Sequence, residues 1–150
     1  MLPSKVVRCY AHDMARVMGI DYGSRRVGVA LSDDAQVVAF PNGILPNNDT
    51  LIATLTQRVA DEGVQVVVVG EADNPAGGTN AIQRRVMLFA EALRIAINCE
   101  VLLVPEAYSS AEARRALMEH ASERSTRQLP VDAAAAAIIL QMYLDGKRRT

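Results

Sequence analysis

The chain has 150 residues, half of them hydrophobic, and a formal net charge of −1. That length suits one domain with a sizeable core, and the near-neutral charge excludes a polybasic nucleic-acid coat protein while leaving room for a local basic site. Its longest apolar stretches, residues 66–69 and 133–140, are far shorter than the roughly 20 residues that span a bilayer, so no membrane partner is expected.

Residues 1–13 are polar and mixed, continue no strand pattern, and are expected to be a disordered extension carrying nothing functional, with a single domain over 14–150. β-rich runs follow at 17–21, 26–32 and 37–40, separated by Gly and Asp-Asp turn signals. Three strands so close together predict an antiparallel meander. From Asn48 the spacing of Leu51, Leu55, Arg58 and Val59 becomes helical, with Gly63 as a stop. The unbroken Val run within 64–69 predicts a central strand covered on both faces, as in a parallel sheet flanked by helices.

A Gly-rich loop over 70–79 leads into a helix over 80–97, with Asn80 and Gln83 as a capping pair and Val86, Phe89, Ala90 and Leu93 on one face. A short strand over 101–104 ends at Pro105, and Ser109 with Glu112 gives the capping-box spacing of a helix reaching about His120. A polar loop over 121–128 precedes the last helix, 131–144, with Pro130 suited to its first turn. The element order is βββαβαβα when the closing helical region is counted once. The alanine run 133–137 predicts close packing of that helix on the sheet, Met87 and Met142 read as core residues, and Lys147-Arg148-Arg149 reads as a solvated tail.

Three acids sit at element ends: Asp21 closing the first strand, Glu106 after the fifth, and Asp132 opening the last helix. Singly, each has a plain structural role as a turn or first-turn acid. Should the first and fifth strands lie near each other with the last helix across that edge, the carboxylates would meet, and their repulsion would call for bound cations. Oxygen-only ligands select Mg2+ or Mn2+, and two such ions suit phosphodiester hydrolysis. Cys9 and Cys99 stand outside any metal-ligand spacing, which argues against zinc and reads as reduced thiols in a cytoplasmic protein.

Phosphate contacts are expected from Arg25 and Arg26, in the turn after Asp21, and from Arg84 and Arg85, near the start of the helix after the Gly-rich loop. With two Phe, four Tyr and no Trp, base stacking is a poor dominant mode, and backbone recognition fits better. Tyr22 and Tyr108 flank two of the acids, either as packing residues or as contacts to sugar or base.

Gly19-Ile20-Asp21-Tyr22-Gly23-Ser24 with Val27-Gly28-Val29-Ala30, then Val68-Val69-Gly70, Glu106 followed by Ser109-Ser110-Ala111-Glu112-Ala113-Arg114, and Val131-Asp132-Ala133-Ala134-Ala135 with Ile138-Ile139-Leu140 resemble the YqgF family of ribonuclease H-like proteins over residues 17–145. The resemblance implies a ribonuclease H-like α/β fold with a mixed five-stranded sheet, the three acids as catalytic metal ligands, and a structured nucleic-acid substrate. It implies processing of the 5′ end of pre-16S rRNA, with the ribosomal particle as a partner, or alternatively resolution of branched DNA at Holliday junctions. Ser109, inside the resembling segment, joins the expected nucleic-acid contacts. The chain departs from the family pattern at Glu71-Ala72, where a Leu-Pro pair is usual, and at Ala107, where an Arg follows the acid.

Two other readings start from the same residues. Asp-x-Gly-Ser after a strand also resembles the phosphate loop of actin-like and sugar-kinase ATPases, which need a second domain that 150 residues do not supply. Ala107 and the altered loop motivate a catalytically reduced binding module, against which stands the retention of three negative charges where phosphates must approach. Rather than choosing an oligomeric state, the sequence leaves a monomer or weak homodimer open: paired junction cuts call for a two-fold dimer, and rRNA trimming does not.

Overall fold

A computed structural model describes residues 15–71, 81–105 and 131–148. The elements run β1 (Arg16–Tyr22), β2 (Arg26–Ser32), β3 (Ala39–Pro46), α1 (Leu51–Asp61), β4 (Val64–Glu71), α2 (Ala81–Ala96), β5 (Glu100–Pro105) and α3 (Val131–Arg148). This is the expected order βββαβαβα. The strands make one five-stranded sheet in the spatial order β3-β2-β1-β4-β5. The first three are an antiparallel meander, and β4 pairs in parallel with both β1 and β5. The sheet is therefore mixed, and its β1, β4 and β5 all end at the same edge.

Side-chain alternation divides the core between the two faces of the sheet. Met18 and Ile20 of β1 and Val67 and Val69 of β4 pack with Leu51, Leu55 and Val59 of α1 and Val86, Phe89, Ala90 and Leu93 of α2. Val17, Ala30 and Val68 pack on the opposite face with Ala136, Leu140 and Leu144 of α3. The central Val-rich strand is thus covered on both faces, as its composition predicts. The alanine run likewise serves close packing: Ala133, Ala134 and Ala136 are buried.

Several boundaries differ from the sequence reading. The third strand is Ala39–Pro46 rather than 37–40. Pro41, Gly43 and Pro46 resemble turn residues, but β3 is an edge strand, where a missing ladder donor is tolerated. Its register on β2 shifts between Val29 and Ala30, opposite Gly43, whose φ is +145°. Such a bulge bends the edge and discourages pairing with another sheet. Residues 33–38 instead form a turn, in which the Asp33 carboxylate accepts from the Val37 and Val38 amides at 2.7 and 3.1 Å.

Helix α1 starts at Leu51, after Asn48 Oδ1 accepts from the Thr50 amide and hydroxyl, and the chain turns out at Gly63, where φ is +65°. The last helix extends past Leu144 to Arg148, so Lys147 and Arg148 belong to a helix and not to a tail. Lys147 Nζ donates to Gln36 Oε1 at 2.9 Å, an anchor between positions far apart in sequence. Met87 lies on the outer side of α2 with 51% of its surface exposed, because Val86, Phe89 and Ala90 take the inner positions. The expected extension, the capping Asn80, the helix over 109–120 and the loop over 121–128 lie outside the described residues.

Candidate active site

Asp21 is the penultimate residue of β1, one step past its last described pairing with β4. That pairing is Ile20 with Val69, while on the other side Asp21 is paired with Gly28 of β2. Directly opposed residues in an antiparallel pair share a face, so the lateral neighbour of Asp21 on its own face has no side chain. Continuing the β4 register past Val69 brings Gly70 to the other flank. The carboxylate is half-buried, with a glycine position on the neighbouring strand at each flank.

Alternation assigns the face. Val17 belongs to the cluster under α3, and Gly19 touches that helix directly: a Cβ added to Gly19 would lie 2.7 Å from Leu140 Cβ and 2.9 Å from the Ala136 carbonyl oxygen. Asp21, two residues on, faces the same layer. Tyr22 faces the other, with its ring centroid 4.6 Å from that of Phe89, so it is a packing residue of the α1–α2 layer.

Helix α3 descends from the edge where β1 ends toward the end where β1 begins. Its Gln141 carboxamide accepts from the Ala39 amide and donates to the Val37 carbonyl, and Lys147 reaches Gln36, which itself donates to the Ala15 carbonyl. Leu140 Cβ and the Ala136 carbonyl stand over Gly19. Asp132 is one turn before Ala136 and two before Leu140, and Asp21 is about 7 Å beyond Gly19 along the strand. The first turn of α3, which carries Asp132, therefore lies toward the edge that carries Asp21. Of the third acid, the structure describes the strand that leads to it: β5 ends at Pro105, and Glu106 and Ser109 lie outside the described residues. The first and fifth strands are not neighbours, because β4 separates them, but both finish at the same edge.

The arginines divide between layers. Arg25, in the hairpin turn that follows Tyr22, and Arg26, the first residue of β2 rather than a turn residue as expected, are exposed at this edge. Arg84 and Arg85 are exposed in the first turns of α2, one turn before the Phe89 that packs on Tyr22. They share the edge with Asp21 but belong to the helix layer on the opposite face of the sheet.

The hairpin turn has a brace that sequence reasoning missed. Asn47 Nδ2 donates to the Gly23 carbonyl at 2.7 Å, and the Asn47 amide donates to the Arg25 carbonyl at 2.9 Å. Asn47 follows Pro46, which pairs with Arg26, so this contact continues the β2–β3 register by one step.

Among the described residues no three metal-binding side chains form a group, and of the acids only the Asp21 side chain is described. Its carboxylate oxygens are the donor type that a hard divalent cation takes.

The family model described as "Holliday junction resolvase", RuvX, matches residues 15–146. The chain belongs to this family. As a RuvX-family protein it is a nuclease, a hydrolase of the α/β class. A relative from Chloroflexus aggregans, named "Putative pre-16S rRNA nuclease", is 34% identical over 134 residues, covering 88% of this chain and 94% of its own. One of the same name from Oleidesulfovibrio alaskensis is 36% identical over 132 residues, covering 87% and 92%. Among solved structures, Thermus thermophilus RuvC in complex with a Holliday junction substrate aligns with a TM-score of 0.60 at 15% identity, covering 89% of this chain and 96% of that one. The fowlpox virus Holliday junction resolvase aligns with a TM-score of 0.55 at 12% identity, covering 88% and 99%. At such identities the likeness concerns the fold, and the RuvX chain has the ribonuclease H-like architecture its sequence resembles. Among the described residues no helix is long and apolar enough to cross a membrane.

Proposed function

We propose that this RuvX-family chain is a metal-dependent endonuclease of the cytoplasm that processes the 5′ end of pre-16S rRNA. The observation that carries the reading is the placement of Asp21 at the edge where β1, β4 and β5 end, on the face covered by α3, whose first turn lies toward that edge. Asp132 is in that turn, and Glu106 follows β5 at the same edge in sequence. These three acids would hold one or two Mg2+ or Mn2+ ions. Bound there, the ions would supply an activated water and charge neutralisation at the leaving oxygen.

The chain's own residues do the rest. Asp21, Glu106 and Asp132 orient the reacting phosphodiester by holding its counter-charge in one place. Arg25 and Arg26 grip phosphates beside the scissile group, and Arg84, Arg85 and Ser109 extend the track along the same edge. The names of relatives at 34% and 36% identity favour rRNA as substrate, and a ribosomal particle is the partner that such a substrate brings with it. Branched DNA is the second reading, favoured by the description of the matching family.

The test is Mg2+- and Mn2+-dependent cleavage by the wild type and Asp21→Asn on a labelled structured pre-rRNA 5′ end and a labelled four-way DNA junction. Cleavage of the RNA alone, lost in the variant, is the expected result. Cleavage of the junction alone moves the function to DNA, and binding without cleavage of either makes the chain a binding module.

A further inference from the structure

We propose that Asn47 is a positioning residue for nucleic-acid binding, which fixes Arg25 beside Asp21 by clamping both ends of the 23–25 turn. The inference rests on the reading of Arg25 as a phosphate contact. The turn has only three residues between β1 and β2, and one side-chain bond and one backbone bond from Asn47 hold its first and last carbonyls. A Cβ at Gly23 would collide with the Arg26 carbonyl, so the turn is folded tightly on itself. Asn47 is itself set between two fixed points. Pro46 is in register with Arg26, and four residues on, Leu51 is buried in the core as α1 begins.

With the Nδ2 bond in place, the backbone under Arg25 is ordered before substrate arrives, and only side-chain freedom is lost on binding. Without it, the Gly23 end of the turn is released and must be re-ordered at each encounter. The residue acts on affinity through Arg25 and touches no reacting atom.

The experiment measures equilibrium binding, in calcium in place of magnesium, of whichever labelled substrate the wild type holds more tightly: the pre-rRNA 5′ end or the four-way DNA junction. Wild type, Asn47→Ala, Arg25→Ala and the double variant are compared over a series of salt concentrations. Asn47→Ala is expected to weaken binding about 3- to 10-fold, from loss of one hydrogen bond and its ordering. The double variant should bind no more weakly than Arg25→Ala. Arg25→Ala and the double variant should lose about one unit of salt slope, the mark of one missing phosphate contact, whereas Asn47→Ala should keep the wild-type slope, because the contact still forms once the turn is re-ordered. Unchanged binding by Asn47→Ala beside a weakened Arg25→Ala overturns the positioning role and leaves the proposed function standing, as do losses that simply add. An unaffected Arg25→Ala removes the contact on which the inference rests, and a wild type that binds neither substrate removes the proposed function with it. Asn47→Ser, which also withdraws the Nδ2 donor, is measured in parallel and carries the same expectations should Asn47→Ala fail to fold.

Discussion

Gly19 and Leu140 lie so close that a Cβ on the glycine would sit 2.7 Å from the leucine Cβ. Neither that atom nor the Ala136 carbonyl at 2.9 Å is the free end of a flexible side chain, so helix α3 must lift to admit even one methyl group. Overpacking of this kind costs about 1–3 kcal/mol. Gly19→Ala is expected to lower the Tm by about 3–10 °C in thermal unfolding. Cleavage by the folded variant should fall further than its stability implies, because the displaced helix carries Asp132. Full activity in a destabilised variant would separate α3 placement from catalysis.

Tyr22 sits next to Asp21 in sequence and on the other face of the sheet, against Phe89. Tyr22→Phe keeps that ring contact, so the cleavage rate and Kd should match the wild type. Tyr22→Ala opens a hole in the α1–α2 layer and should destabilise the fold by about 3 kcal/mol, less whatever the partly buried site recovers by relaxing. A cleavage defect in Tyr22→Phe without a change in Tm would give the hydroxyl a role in substrate contact.

Gly23 has no room for a side chain, since the Arg26 carbonyl occupies it. Gly23→Ala should open the hairpin turn and weaken nucleic-acid binding at least as much as Asn47→Ala, with both effects read in the same titration. Binding equal to the wild type would show that the turn can shift without moving Arg25.

Hydrogen bonds from the Val38 and Val37 amides hold the Asp33 carboxyl below the ordinary Asp range, against a smaller opposing contribution from burial. Because the folded-state pKa is depressed, the charged form stabilises the fold above the unfolded pKa near 3.9, and that contribution is lost as pH falls through the lower folded value. Asp33→Asn should lower the Tm by a few degrees at pH 7. The gap to the wild type should close as the pH is taken toward 2. A gap of constant size across that range would assign the loss to geometry rather than to charge.

Much of the fold was readable because its patterns are local. The Val run of β4, the helical spacing of Leu51, Leu55 and Val59, and the alanines of α3 each state how many faces are covered and how closely. The edge strand was not readable over its whole length, since Pro41, Gly43 and Pro46 carry turn chemistry that only an edge position makes compatible with a strand. Met87 was misplaced for a related reason: a flexible apolar side chain does not report which side of α2 it is on. Asp21 was legible as a carboxylate at a strand end, and the close approach of α3 over Gly19 was not, because it depends on a contact across the sheet face. Asn47 was invisible because its role is created by the pairing of Pro46 with Arg26, a long-range register that no spacing along the chain encodes.

The Gln141 carboxamide joins α3 to both sides of the 37–39 segment, across sequence separations of 104 and 102 residues. On a translating ribosome the sheet strands emerge well before the helix that covers them. Until α3 follows, Val17, Ala30 and Val68 lack the Ala136, Leu140 and Leu144 side chains that pack on them, and the start of β3 lacks its side-chain fastening. A growing chain therefore carries an adhesive surface for most of its synthesis, the kind of surface that chaperones hold. Completion of the fold and completion of the proposed acid set would then come together, since the same helix delivers the apolar cover and Asp132.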